Sequence, residues 1–284
     1  MATPLADAPV VLVLGASNAV GCCFLERAAA RSELQLLAIS RRQPASSLAS
    51  VTWLQQDLAR ETVSVMASVL VSFGPVGLAV RQLKATPSVG RVVALSSAST
   101  EFKSDSPDRA EREQMAAIRA DEARLEALCA ERGAGLSLFK TTMIYGSRDA
   151  NVSRLAELSE RLPFVPVTGS GLRQPVHADD LAELALRVLS MGKRSFGTWL
   201  LGGGETLGYP TMLRRIAKAQ GRQARMIPVP AWALKAALRI GHALGSLRDI
   251  SPVMLERQAV DLTVNDQAAR EHLGWSPRPF RPLD

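Results

Sequence analysis

Aromatic residues make up only 5% of this 284-residue chain, and there are just three cysteines. With so few rings, the core has to be built from Ala, Leu and Val, which suits the aliphatic buried strands of an α/β protein. Cys22, Cys23 and Cys129 supply neither a zinc-ligand spacing nor a disulfide framework. The adjacent pair stands where a first helix should begin and reads as small buried thiols. The net charge is +7, yet no run of five basic residues occurs and no aromatics interleave with basic ones. Nucleic acid is therefore not an expected partner. No apolar stretch reaches the roughly 20 residues of a membrane span. The most apolar late segment, PAWALKAALRIGHALG, is interrupted by Lys235, Arg239 and His242 and reads as an amphipathic helix. The opening MATPLADAPVVLVLG has no basic start and runs straight into a strand. No signal peptide is expected, and the location expected is cytoplasmic.

What is present is an alternation. VVLVLG (10–15), ELQLLAIS (33–40), VTWLQQD (51–57), SVLVSFG (68–74), RVVALSS (91–97) and GLSLFKTTMIYG (135–146) are short apolar runs. Helical patterns lie between them, the longest over 108–131. Strands alternating with helices predict a parallel sheet with right-handed crossovers. The second half is less regular. RLPFVPVTGSG (161–171) gathers prolines and glycines, HADDLAELALRVL opens a helix, and TWLLGGGE (198–205) reads as a strand running into a loop. Asp180 and Glu183 fit a capping box at the start of that helix. TMLRRIAKAQG reads as a helix closed by glycine.

GASNAVG, Gly15 to Gly21, joins the first strand to the first helix. A helix N-terminus there offers free N–H groups and a positive dipole end to a pyrophosphate. Gly15 permits a tight turn, and Gly21 lets the helix pack closely on the sheet. Asn18 stands at the centre, where Asn tolerates left-handed backbone better than most residues. After the second strand comes Ser40-Arg41-Arg42 rather than an acid. A carboxylate would repel a ribose 2′-phosphate, whereas a guanidinium binds it through a charge-assisted fork. NADP(H) is thus favoured over NAD(H), a solvated basic loop being the plainer alternative.

On GASNAVG, KTTMIYGSRD, PVHADDLAELAL, GTWLLGGGETLGYPTMLRRIAKAQG and LGWSPRPF, the chain resembles the extended and atypical short-chain dehydrogenase/reductases. These are NAD-dependent epimerase/dehydratase-like proteins, with relatives among NADPH-binding accessory subunits of respiratory complex I. The resemblance runs from Val10 to Phe280. It implies a Rossmann-type, doubly wound parallel sheet (1–146 and 173–201) with a smaller C-terminal substrate lobe (147–172 and 202–284). It implies cofactor contacts at Gly15, Ser17, Asn18, Ala19, Val20, Gly21, Ser40, Arg41, Arg42, Asp57, Leu58, Ser72, Phe73, Gly74, Ser96, Lys140 and Ile144. Substrate contacts fall on Tyr145, Arg173 and His177, and no metal is expected. A strand-end aspartate such as Asp57 could equally cap the next helix, and Tyr145 and His177 have plain structural readings as well.

One part of the pattern is missing. The family pairs a strand-end serine, here Ser97, with Tyr-x-x-x-Lys on the following helix. Alignment puts Met115 at the tyrosine and Arg119 at the lysine. Tyr145 and Tyr209 are the only tyrosines, and Asp149 and Leu213 stand four residues after them. Methionine cannot donate a proton, and losing a positioned acid or base costs about two to four orders of magnitude in rate. Lys103, one of six lysines, is the candidate replacement, a solvated lysine being the plainer reading. Two functions follow. The first is an NADP(H)-binding, epimerase- or reductase-like oxidoreductase with a small-molecule substrate. The second is a non-catalytic NADP(H)-binding regulator or assembly protein. The second needs a protein partner, and a homodimer stays open under either.

Overall fold

The computed structural model describes residues 8–41, 48–147, 155, 164–223, 225–243 and 257–282. They form two compact units: residues 1–141, 178–201 and 265–276, and residues 142–177, 202–264 and 277–284.

Unit 1 is built on seven parallel strands: β1 (Val10–Leu14), β2 (Gln35–Ser40), β3 (Val51–Gln55), β4 (Val69–Ser72), β5 (Arg91–Ser97), β6 (Gly135–Thr141) and β11 (Gly197–Leu201). Their order is β11-β6-β5-β4-β1-β2-β3. Strand order reverses between β1 and β4, so this is the doubly wound sheet expected, and the crevice at that switch point is where such sheets bind ligands. β1 has four fully buried residues, Val11 to Leu14, and β6 is buried along its whole length. β1 is aliphatic throughout, as burial on both faces favours, whereas β6 also buries Ser137, Lys140 and Thr141.

The helices are α1 (Ala19–Ala29), α2 (Val76–Ala85), the short α3 (Ser99–Phe102), α4 (Arg109–Arg132), α5 (Ala178–Met191) and α8 (Gln267–Leu273). α1 packs on α5 and α2 on α4. Right-handed crossovers on either side of the switch point put α1 and α2 on opposite faces. Leu70, Leu83, Val92, Leu125 and Leu138 join the α2–α4 layer to the sheet in one apolar cluster. Arg27 of α1 grips Asp179 of α5 through two hydrogen bonds of 2.5 and 2.7 Å. Glu183 pairs with Arg187 at 2.6 Å and lies 3.6 Å from Arg27. Arg91 at the foot of β5 donates to the carbonyls of Gly135 and Val188 and to the hydroxyls of Ser137 and Ser195. Burial without a carboxylate partner pushes its pKa down to about 10.

The run 135–146 does not stay in one strand. β6 ends at Thr141, and β7 (Ile144–Tyr145) pairs with β10 (Val176–His177) in unit 2. Ile144 accordingly lies outside the sheet unit to which 1–146 was assigned. Residues 173–177 fall in unit 2 and 265–276 in unit 1, shifting two other boundaries. In unit 2, β8 (Phe164–Val167) pairs in parallel with β13 (Arg225–Pro228), and β9 (Leu172–Arg173) antiparallel with β12 (Leu207–Gly208). α6 (Tyr209–Ala219) buries Met212, Leu213 and Ile216 among Tyr145, Val165 and Phe280, and α7 (Ala231–Ala243) follows β13. Among the described residues, no helix is long and apolar enough to cross a membrane.

Candidate functional site

The turn after β1 sits at the switch point. Gly15 has φ +67°, the left-handed region. A Cβ there would stand 2.7 Å from the Gly74 amide nitrogen and 2.9 Å from the Phe73 carbonyl carbon. A Cβ on Gly21 would overlap the Gly15 carbonyl oxygen and stand 2.9 Å from Ala16 Cα. The glycines are thus required by the protein's own packing, as expected of the loop. Gly74 itself would accept a side chain, its nearest neighbour being Leu78 at 3.7 Å.

Asn18 behaves differently from the expectation. Its backbone is extended, φ −83° and ψ 173°, so left-handed tolerance has no part in its presence. It is the N-cap of α1: its Oδ1 accepts the Gly21 N–H at 2.8 Å, while its Nδ2 donates to the Phe73 carbonyl at 2.8 Å. One amide therefore caps the helix and ties the turn to the end of β4. Replacing Asn18 with Ala is expected to cost about 1–2 kcal/mol, a cap plus a crosslink. Urea unfolding checks this, and Asn18→Asp separates the two parts by keeping the cap acceptor and removing the Nδ2 donor.

The turn fits a dinucleotide pyrophosphate. The first-turn N–H groups of Ala19 and Val20 have no intrahelical acceptor, and Ser17 and Asn18 are exposed. At the end of β4, beside Leu14, the fully buried Ser72 hydroxyl has no hydrogen-bond partner among the described residues. A buried orphan of this kind is uncommon in native proteins, and it lies at a position expected to meet cofactor. Phe73 is buried against Phe24, with ring centroids 5.2 Å apart. Ser40 is buried at the end of β2, Arg41 is exposed with its carbonyl accepting from Gln55, and Arg42 lies outside the described residues. Asp57 caps a turn, its Oδ1 accepting the Ala59 N–H at 3.1 Å, and Leu58 is in the core.

Beyond β5 the chemistry departs from the sequence reading. The inward face of α4 carries Glu111, Met115, Glu122, Leu125 and Cys129, all buried, with Ile118 half-buried between them. Arg119 is exposed and donates to the Thr100 carbonyl, so it does not share the buried face with Met115. Lys103 is not a solvated lysine: its side chain is 16% exposed and its Nζ lies 3.4 Å from the buried Glu111, which also accepts from Ser106 at 2.6 Å. About three turns further along α4, the Ser96 hydroxyl donates to Glu122, whose other oxygen lies 3.2 Å from Lys140 Nζ. Lys140 also pairs with Glu101 and holds that carboxyl below the usual carboxylate range. Lys140, expected at the cofactor, is engaged by two carboxylates. Ser97 Oγ accepts the Ser99 N–H at 3.2 Å. Glu101, Glu111 and Glu122 went unnoticed in the sequence. The 111–115–118–122–125–129 spacing was the signal available, since two acids on an otherwise apolar stripe imply buried partners.

The expected substrate residues lie in unit 2 and are used internally. Tyr145 is fully buried, edge-on to His177 and Phe280, and its hydroxyl meets the Pro279 carbonyl and the Arg281 N–H, both at 3.3 Å. His177 is buried in β10. Arg173 is buried, donating to the carbonyls of Leu172 and Val260 at 2.7 Å and to that of Arg257, with Tyr209 stacked 5.1 Å away. The burial pushes its pKa down. Cys22 and Cys23 are half-buried and Cys129 is buried; burial raises the Cys23 and Cys129 thiols to about 11, which makes both poor nucleophiles.

A parallel doubly wound sheet with a glycine turn at its switch point defines a Rossmann-type fold. No model of a known protein family matches the chain. A UDP-glucose 4-epimerase of Vibrio cholerae is 26% identical over 160 residues, 55% of this chain and 46% of the relative, so the match spans about half of that relative's length. The Bacillus cereus UDP-glucuronic acid 4-epimerase, solved with UDP-glucuronic acid and NAD, superposes with a TM-score of 0.68 over 95% of both chains at 13% identity. An epimerase of Methanothermobacter thermautotrophicus does so with a TM-score of 0.68 at 14% identity, over 97% of this chain and 89% of its own. The resemblance to the epimerase/dehydratase-like short-chain dehydrogenase/reductases is borne out by these relatives, which carry nothing on the complex I accessory group.

Proposed function

We propose that the chain binds a nicotinamide dinucleotide, NADP(H) in preference to NAD(H), at the C-terminal ends of β1, β2 and β4. On this reading it acts as an epimerase- or reductase-like oxidoreductase, with unit 2 as its substrate lobe and the cytoplasm as its location. The observation that carries the binding is the Gly15–Gly21 turn, closed by its own packing and presenting free first-turn N–H groups at the switch point. The basic Ser40–Arg42 segment supports the phosphorylated form. Bound, the cofactor supplies hydride exchange. Ser97 orients the substrate oxygen, and proton supply falls to Lys103, water or the substrate itself. One observation favours a second reading: Met115, at the place of the tyrosine, is 4% exposed and lies on the apolar stripe of α4. A cofactor-binding regulator or assembly protein needs no proton donor there, and it does need a protein partner.

Calorimetric titration with NADPH, NADP⁺ and NADH tests the binding. NADPH is expected to bind at micromolar Kd or tighter. The Arg41→Ala/Arg42→Ala variant should lose about 10–100-fold toward NADPH and little toward NADH, since only the former carries the 2′-phosphate. Equal losses for both nucleotides would sink the NADP assignment, and no binding by any of the three would sink both readings.

A further inference from the structure

β5 ends at Ser97 and the short α3 follows at once, so Glu101 stands four residues beyond the strand. In the sheet, β2 lies on one side of β1, and β4, β5 and β6 lie on the other. A doubly wound sheet takes one half of a dinucleotide on each side of its switch point. With the adenosine half at β2, the second nucleoside falls over the ends of β4 and β5. The end of β5 is two strand spacings, about 10 Å, from that of β1. We propose, resting on the dinucleotide reading above, that Glu101 accepts hydrogen bonds from the ribose hydroxyls of the nicotinamide half.

The carboxylate is held in place. The Ala98 N–H donates to the Thr141 carbonyl, the Glu101 N–H to the Ala98 carbonyl and the Thr100 hydroxyl to the Ser97 carbonyl, each at 2.9 Å. These bonds fix α3 to the ends of β5 and β6. Lys140 Nζ then donates to Glu101 Oε1, and the Thr100 hydroxyl lies 3.4 Å from the same oxygen. Lys140 is itself anchored 3.2 Å from the buried Glu122. A group so braced meets a ligand with little left to order.

Its chemistry suits a sugar. Lys140 holds the carboxyl below the usual carboxylate range, so at neutral pH it acts only as an acceptor. An ionised carboxylate has about four acceptor sites, and the contacts from Lys140 and Thr100 both fall on Oε1. The Glu101 side chain is 44% exposed, against 11% for Lys140 and 9% for Glu122, so of these three charges it is the one a solute reaches. Dinucleotide sites often place an acid after β2 to accept from the adenosine ribose. In this chain that place is basic, Ser40-Arg41-Arg42, and an acid stands across the switch point instead. The two ends therefore sort the two riboses: a 2′-phosphate is attracted at β2 and repelled at Glu101, where a free diol fits.

Calorimetric titration of the full-length protein with half and whole ligands tests this. The half ligand is 2′,5′-ADP, which carries the adenosine and its 2′-phosphate but no second ribose. Wild type should bind NADPH more tightly than 2′,5′-ADP. Glu101→Gln should weaken NADPH at least about tenfold, as loss of a hydrogen bond to a charged group does, and leave 2′,5′-ADP within about twofold. Retained 2′,5′-ADP binding also shows that the variant is folded. An NADPH analogue whose nicotinamide ribose is 2′,3′-dideoxy should bind wild type about tenfold more weakly than NADPH, and the two should bind Glu101→Gln alike. A purely structural role for Glu101 would not produce that convergence. Unchanged NADPH affinity in Glu101→Gln, equal losses of NADPH and 2′,5′-ADP in the folded variant, or equal affinity of wild type for NADPH and the dideoxy analogue would each overturn the proposal. The dinucleotide reading would survive all three, because in each of them wild type still binds NADPH. Failure of wild type to bind NADPH would overturn both.

Discussion

Lys140→Ala is expected to lower the unfolding free energy by about 3–5 kcal/mol, the range for removing one partner of a buried ion pair. Lys140 is 11% exposed in its side chain and Glu122 9%, with 3.2 Å between Nζ and Oε2. Without the ammonium, the Ser96 hydroxyl is the one partner left to Glu122 among the described residues, and a buried carboxylate without a counter-charge is costly. The loss should appear as a lower urea midpoint at unchanged slope, the mark of a stability change without altered compactness. The double variant Lys140→Met/Glu122→Gln removes the charge along with its partner and should recover part of the loss. A fall below about 1 kcal/mol in Lys140→Ala would show that the cluster is wetter than its burial indicates. The acid limb follows from Glu101, whose carboxyl is held low by Lys140. A carboxyl depressed in the folded state contributes stability that is present above its unfolded pKa of about 4.3 and is lost as pH falls through the folded value. In Lys140→Ala that part of the acid dependence should flatten. Because Glu101 is 44% exposed in its side chain, the change will be modest.

The sheet was legible because its strands are aliphatic runs whose burial needs no partner to be named. β1 and β5 match the runs 10–15 and 91–97 to within a residue. The long helix, expected over 108–131, spans Arg109–Arg132 and ends at Gly133 with φ +65°. β8 was not legible: FVPV reads as a proline-rich loop, and its partner β13 lies some 60 residues on. No local pattern encodes such a pairing, and a proline is tolerated in a strand at a sheet edge. The turn was legible as a phosphate loop, but Asn18's double bond to Gly21 and Phe73 was not, because Phe73 is 55 residues away. The acids of α4 were not legible for a different reason. A charged residue on a helix is usually solvated, and Glu111 and Glu122 stand out only once their spacing is laid against Met115, Leu125 and Cys129. Arg119, one turn from Met115, stands at the edge of that stripe, and only the fold shows it exposed.

Gly21→Ala should be the more damaging change for binding, and it runs against helix propensity. Gly21 is the third residue of α1, and Gly to Ala within a helix ordinarily stabilises by up to about 1 kcal/mol. Here the added methyl overlaps the Gly15 carbonyl oxygen and stands 2.9 and 3.0 Å from the Cα and carbonyl carbon of Ala16. All three atoms are backbone, so relief requires the turn itself to move. Gly15, at φ +67° and packed so closely on the Phe73–Gly74 backbone that a Cβ would stand 2.7 Å from the Gly74 nitrogen, has little freedom to give. The net cost is expected at about 2–3 kcal/mol, overpacking in a site that cannot relax. The displaced turn also breaks the Asn18–Gly21 cap and redirects the Ala19 and Val20 N–H groups, so NADPH affinity should fall by about 100-fold or more. Gly77→Ala in α2 supplies the contrast. There the three atoms nearest the methyl are all in the Asp121 carboxylate, Oδ2 at 2.5 Å, and a side-chain end can rotate aside. Its stability should stay level or rise by a few tenths of a kcal/mol, with NADPH binding unchanged. If Gly21→Ala instead unfolds at the wild-type midpoint and still binds NADPH, the turn is plastic, and the close packing at Gly15 no longer accounts for its glycines.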